Sequence, residues 1–223
     1  MILVPVKNLG RAKQRLAEVL DEAARSELAR AMLLDVLEAL GSWRQGADQV
    51  IESEIAVVTS DPFALQLASE FRFEIIRDDT NPGETGAIEM ATQVCVSRGI
   101  RNTLVIPADI PLIAEWELAE IFAKAPKEGS LLVPAADGRG TNAAFRCPAD
   151  LFALRFGNDS FKPHLAAAQS TGKNCIVLSL PGIALDVDRL DDLQQLIWAA
   201  GDGHAQRLAR QWDLSGYPMA ANE

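Results

Sequence analysis

Positive charge is scarce in this chain. Its 223 residues carry 21 Lys and Arg against 31 Asp and Glu, a formal net charge of −10, so the surface lacks the cationic face that a general nucleic-acid binder requires. Any anionic ligand must therefore enter a local basic pocket. Cysteine is equally sparse: Cys95, Cys147 and Cys175 lie far apart without CxxC spacing, which indicates neither a disulfide framework nor a zinc site. Long apolar runs are missing too. The opening Met1 to Val6 is followed at once by Lys7, too short for a signal-peptide core, and no apolar stretch approaches the roughly 18 residues of a membrane span. A reducing, cytoplasmic setting is the expectation, with neither a membrane nor a nucleic acid as partner. The chain also has no GxGxxG and no GxxxxGKS/T, which argues against a Rossmann dinucleotide site and a P-loop.

What is present is enough apolar sequence, 48%, to fill one sizeable core, and a regular alternation of short β-rich runs with longer helical stretches. Strands are expected at Ile2–Val6, Ile55–Thr59, Phe73–Arg77, Thr103–Pro107, Ser130–Pro134, Ala143–Arg146 and Cys175–Leu180. Leu28, Met32, Val36 and Leu40, joined by Leu33 and Leu37, predict a helix apolar on one face with Asp21 as its cap. Asp61-Pro62 predicts a second helix start. Further helices are expected at about 84–98, 111–124, 160–171 and 190–200, with a polar turn segment from Asp78 to Gly83. The pattern is α/β: a single domain over residues 1–214, its mixed, mostly parallel sheet flanked by helices, followed by a flexible tail at 215–223.

In open α/β sheets ligands bind outside the carboxyl ends of the strands. Asp109 stands there, inside Pro107-Ala108-Asp109-Ile110-Pro111-Leu112, where a charge is costly unless paired or bound to a cation. Asp186 and Asp188 are two apart and, in extended chain, point to the same side. Carboxylates that close repel unless a cation lies between them, and an all-oxygen set suits magnesium. For all three aspartates helix capping is the competing role. Lys7, Arg11, Lys13 and Arg15 precede the first acid, Glu18, and such a cluster just beyond a strand can hold a triphosphate; a solvated helix face is the alternative. Gly140-Thr141-Asn142 and Gly157-Asn158-Asp159-Ser160 are small-residue turns, the second opening a helix whose N-terminus can grip an anion. Ser160 could equally be a plain N-cap. The two histidines, His164 and His204, have no Ser or Cys motif that would make a triad.

In order along the chain, Val4-Pro5-Val6-Lys7 with Ala12-Lys13-Gln14-Arg15-Leu16, then Pro107-Ala108-Asp109-Ile110-Pro111-Leu112, Gly140-Thr141-Asn142-Ala143, Phe156-Gly157-Asn158-Asp159-Ser160-Phe161 with His164, and Leu185-Asp186-Val187-Asp188 before Asp191-Asp192-Leu193 resemble the CofC/FbiD-type guanylyltransferases of coenzyme F420 biosynthesis. The resemblance spans nearly the whole chain. It implies the Rossmann-like GT-A nucleotidyltransferase fold and transfer of a guanylyl group from GTP to 2-phospho-L-lactate, phosphoenolpyruvate or a phosphoglycerate, with release of pyrophosphate. It further implies Asp109, Asp186 and Asp188 as ligands of Mg2+ or Mn2+, with Asp109 and Lys13 catalytic. Lys7, Arg11, Lys13, Gly83 and Pro107 would meet the nucleotide, Thr141, Gly157 and Ser160 the acid, and the assembly could be a homodimer. A phosphate acceptor, with a second pKa of about 6, needs no general base, in keeping with so few histidines. One segment departs from the family: Gly83-Glu84-Thr85-Gly86 stands where many relatives have Gly-Leu-Asn, in the region expected to face the nucleobase. The alternatives are a cytidylyltransferase or molybdopterin guanylyltransferase type, and a non-catalytic nucleotide-binding protein.

Overall fold

Ile2–Val6, the first strand (β1), is buried along its whole length. A strand covered on both faces reads as an unbroken apolar run rather than an alternating one. In the computed structural model, which describes residues 1–46, 54–79, 83–157 and 159–212, β1 is central in a seven-stranded sheet. The other strands are β2 (Ile55–Thr59), β3 (Glu74–Arg77), β4 (Thr103–Val105), β5 (Gly129–Pro134), β6 (Thr141–Cys147) and β7 (Asn174–Val177), in the order β3-β2-β1-β4-β6-β5-β7. All neighbouring pairs are parallel except those of β6, which runs antiparallel between β4 and β5. The sheet is thus mixed and mostly parallel, as expected.

Alternate residues of β1 face two cores. Ile2 and Val4 join the larger one, with Leu28, Met32, Val36 and Leu40 of helix α1 (Glu22–Gly46), whereas Leu3 joins the smaller one with Ala87, Ile88 and Ala91 of helix α3 (Glu84–Ser97). This is the period-two alternation of a strand feeding helices on both faces. The Asp21 carboxylate accepts from the Ala24 N–H at 2.8 Å, and Asp61 caps α2 (Pro62–Glu70) through Phe63 and Ala64 N–H. Both caps follow the sequence reading.

The helix expected from about residue 111 begins only at Glu115 (α4, Glu115–Lys124). A turn closed by Ile113 N–H on the Ile110 carbonyl precedes it, and the Glu117 carboxylate accepts from Ala114 N–H at 3.0 Å. Helix α5 is Phe161–Ser170; the short α6 (Pro181–Ala184) and α8 (His204–Ala209) flank the expected α7 (Leu190–Trp198). Among the described residues no helix is long and apolar enough to cross a membrane. All three cysteines are free. The tail at 215–223, Asn158 and the middle of the polar segment after Asp78 lie outside the described residues.

Candidate active site

Because β6 is reversed, its first residues lie at the same edge of the sheet as the last residues of β1, β4 and β5. That edge carries a cleft of about 480 Å³, lined by Pro107 and Asp109 after β4, Thr141 and Asn142 at the start of β6, and Asp186 and Asp188 before α7. Two backbone contacts build this wall. Val187 N–H donates to the Asp109 carbonyl at 3.1 Å, and Ala136 N–H donates to the Ala184 carbonyl at 2.8 Å. Asn142 completes it, its amide donating to the Ile183 and Ala184 carbonyls and to the Asp186 carboxylate at 2.9 to 3.0 Å.

Behind the wall, the fully buried Glu117 accepts from Gly182 N–H at 2.8 Å, joining α4 to α6. A Cβ on Gly182 would collide with the Leu112 carbonyl oxygen and the Glu117 carboxylate. Backbone atoms cannot retreat as a flexible side chain can, so Gly182→Ala is expected to destabilise the fold by about 1–3 kcal/mol through overpacking. Urea denaturation of the variant should show a lowered midpoint; a wild-type midpoint would mean that the 181–188 segment is free to move.

The three aspartates converge. Lys13, in the left-handed region at φ 55 and ψ 40, sends a nearly buried ammonium between Asp109 (2.6 Å) and Asp188 (2.8 Å), and Arg15 reaches the other oxygen of Asp188 at 3.0 Å. A non-glycine residue held there stores strain of order 1 kcal/mol, which the two ion pairs offset. Burial alone would lower the Lys13 pKa, but the two carboxylates reverse that and hold it above its ordinary value. Among the described residues no cation bonds Asp186. Its burial, with repulsion from Asp109 and Asp188, lifts its pKa to about 6 even though Asn142 bonds it. None of the three acts as a helix cap: the carboxylate that accepts from Arg189 and Asp188 N–H ahead of α7 is that of Asp192.

The basic cluster divides. Lys7 pairs with the buried Asp78, and Arg11 is exposed; neither lines the cleft, nor does Gly83, the residue ahead of α3. Glu84, in the departing segment, does line it and was not singled out by sequence. Burial first, then the charge of Asp109, pushes its pKa up to about 7 against the pull of Lys13 and Lys7.

Thr141, Gly157 and Ser160 line the same cleft. Gly157 takes φ 135, open to glycine and strained for other residues. Ser160 precedes α5 but makes no side-chain cap bond; its hydroxyl lies 3.4 Å from Thr141 Oγ1. Thr141 also contacts His164 Nδ1 at 2.9 Å. Asn142 and His164 were legible only as members of their motifs. A second acidic group, Asp35 and Glu38 with His204, lies within metal-ligand reach between α1 and α8. There, however, both Asp35 oxygens accept from His204 and Ala205 N–H.

The sequence profile of the guanylyl transferase CofC-like family matches residues 1–221. The chain belongs to that family. Among curated proteins, this CofC-like chain is 36% identical over 210 residues to a phosphoenolpyruvate guanylyltransferase of Roseiflexus castenholzii, covering 94% of this chain and 93% of the relative. It is 30% identical over 221 residues to a 2-phospho-L-lactate guanylyltransferase of Methanothermobacter thermautotrophicus, covering 99% and 94%. Among solved structures, a nucleotide-diphospho-sugar transferase from Desulfovibrio desulfuricans superposes with TM-score 0.73 at 19% identity, covering 94% and 93%. A 4-diphosphocytidyl-2C-methyl-D-erythritol synthase gives TM-score 0.55 at 16% identity, covering 87% and 95%. These two likenesses concern the nucleotidyltransferase fold of this CofC-like protein, and the relatives' names concern its chemistry.

Proposed function

We propose that this protein transfers a guanylyl group from GTP to the phosphate of a small phospho-acid, phosphoenolpyruvate or 2-phospho-L-lactate, in coenzyme F420 biosynthesis. The observation that carries the reading is the convergence of Asp109, Asp186 and Asp188 on one cleft that is also lined by Thr141 and Ser160. Joining two phosphates needs a cation to neutralise their charge and donors to hold the acceptor; carboxylates would hold the first, and the two hydroxyls would belong to an acid end that supplies the second.

An acceptor phosphate oxygen attacks the α-phosphorus, forming the new diphosphate bond as the α-phosphorus to bridging-oxygen bond breaks, and pyrophosphate leaves with that electron pair. The donor set fits a hard divalent cation such as Mg2+ or Mn2+: the ligand groups are all carboxylate oxygens, and an ammonium already stands between two of them. Bound there, the ion would neutralise charge on the attacking and leaving oxygens. Lys13 and Arg15 bring positive charge to the same point, and Lys13 would meet the phosphates of the nucleotide. Lys7, Arg11 and Gly83 belong to a nucleotide reading that needs the triphosphate to extend beyond the cleft along the ends of β1 and β3. Thr141, Gly157 and Ser160 would hold the acid.

The direct test is pyrophosphate release across a matrix of triphosphates and phospho-acids, with and without Mg2+. Release is expected only with GTP, a phospho-acid and metal together. Nucleotide binding without turnover under any combination would leave a binding protein of the same fold; turnover with CTP in place of GTP would move the protein to the cytidylyl class.

A further inference from the structure

The wall behind the acid end of the cleft holds a buried imidazole for which the reaction has no direct use. His164 is 1% exposed. Its Nε2 lies 2.7 Å from the Arg155 backbone nitrogen, which can only donate. Nε2 must therefore be the unprotonated, accepting nitrogen, and in the neutral ring the proton resides on Nδ1. Burial, with the nearby Arg146 charge, lowers the ring's pKa to about 4, so the neutral form is the one present near pH 7.

The tautomer has a consequence one bond further on. Nδ1 stands 2.9 Å from Thr141 Oγ1, so the ring donates and the threonine oxygen accepts. The single hydrogen of Thr141 is then directed away from the imidazole. Ser160 Oγ, at 3.4 Å, is a loose second neighbour that can turn elsewhere.

The rest of the wall fixes this geometry from outside. Phe156 packs edge-on against the His164 ring at 5.1 Å, and its backbone N–H donates to Thr85 Oγ1 at 3.0 Å. Thr85 belongs to the segment that departs from the family pattern, so one anchor of the acid end comes from that departure.

We propose that His164 is a positioning residue: held by the Arg155 backbone N–H, it forces the Thr141 hydroxyl to act as a donor aimed into the cleft, toward the anionic group of the acceptor. This rests on the reading of Thr141, Gly157 and Ser160 as the acid end. A hydroxyl left free to rotate would spend part of its time with a lone pair facing the anion, and the relay removes that orientation in advance.

The chain has two histidines, so nitrogen NMR of the intact protein reads the tautomer directly, with His204→Gln giving the assignment. His164 should show a protonated Nδ1 and a bare Nε2, unchanged from roughly pH 5 to 8. A protonated Nε2, or a titration inside that window, overturns the relay.

Kinetics with GTP and phosphoenolpyruvate gives the second readout. His164→Gln can still accept from Arg155 but offers no donor at the δ position, and should raise the acceptor KM about tenfold. The KM for GTP should stay put. His164→Asn, which can present an N–H near the δ position, should recover most of that loss.

Thr141→Val should raise the acceptor KM as well, and adding His164→Gln to it should cost nothing more, because the histidine acts through the threonine. Additive losses, or a parallel rise in the GTP KM, would overturn the relay while leaving the acid end in place. An unaltered acceptor KM in Thr141→Val would instead remove Thr141 from the acid end, and the relay with it.

Discussion

Asp186→Asn is expected to cut turnover by at least about a hundredfold, since it removes a full charge from the proposed cation site, and at the same time to raise the melting temperature of the metal-free protein. The second half follows from linkage. The Asp186 pKa rises from 3.8 to about 6, first through burial and then through repulsion by Asp109 and Asp188. A carboxyl whose folded pKa exceeds its unfolded value binds protons more tightly in the folded state, so its ionisation works against the fold. The penalty is absent below pH 3.8, grows as pH rises to about 6, and is fully present above that. An amide at this position keeps the bond from Asn142 and loses the repulsion.

Asp109→Asn should lose as much turnover but move stability the other way, because it takes one of two carboxylates from the nearly buried Lys13 ammonium. Equal and opposite shifts in melting, with the same loss of pyrophosphate release, would be hard to obtain from general damage to the fold. Activity near wild type in either variant would make the assignment of these aspartates to a cation wrong. The pH dependence gives a further check: without metal, the wild type should lose stability between about pH 4 and 6 relative to Asp186→Asn.

The parts of the molecule legible in sequence were those decided by neighbours in the chain. Ile2–Val6 and Ile55–Thr59 are five-residue buried runs, and each has the expected ends. Asp61 followed by Pro62 marks a helix start because cap and donors lie within three residues. Where partners are distant, the reading stopped short. Helix α8 is capped by Asp35, 169 residues earlier, and α6 is held by Glu117, 65 residues earlier. Neither spacing leaves a local trace. Capping and chemistry cannot be told apart at Asp186 and Asp188 by spacing for the same reason; in the fold Asp192 takes the cap, so capping does not account for the pair.

The site shows a similar division. Asp109, Asp186 and Asp188 stand out as charges beside apolar runs, and the chain brings them together as expected. Lys7, Arg11, Lys13 and Arg15 look like one cluster by spacing alone. The two short 3-10 turns at Leu9–Arg11 and Gln14–Leu16, with the left-handed Lys13 between them, send these side chains in different directions. Lys13 and Arg15 face the aspartates, and Lys7 faces Asp78. Periodicity cannot foresee that, since it depends on a backbone conformation most residues avoid.

Ser160→Ala is expected to weaken the acceptor by about ten- to a hundredfold, the loss of one hydrogen bond to a charged partner, with little change in melting temperature. A serine ahead of a helix ordinarily bonds its second or third backbone N–H, and removing that cap costs roughly 1 kcal/mol. Here the Ser160 side chain makes no such bond, and its backbone at φ −69 and ψ −23 is already helical. The hydroxyl points instead at Thr141, at a distance long enough that an anion in the cleft can win it over. Stability and binding are therefore separable at this position. Calorimetric titration of GTP and of phosphoenolpyruvate into the variant, beside its melting curve, decides the matter. GTP affinity without acceptor should be unaltered, because the side-chain partner of the serine is Thr141, whereas Lys13 bonds the aspartates. A lowered melting temperature with wild-type acceptor affinity would return Ser160 to the fold and leave Thr141 to hold the acid with Gly157 alone.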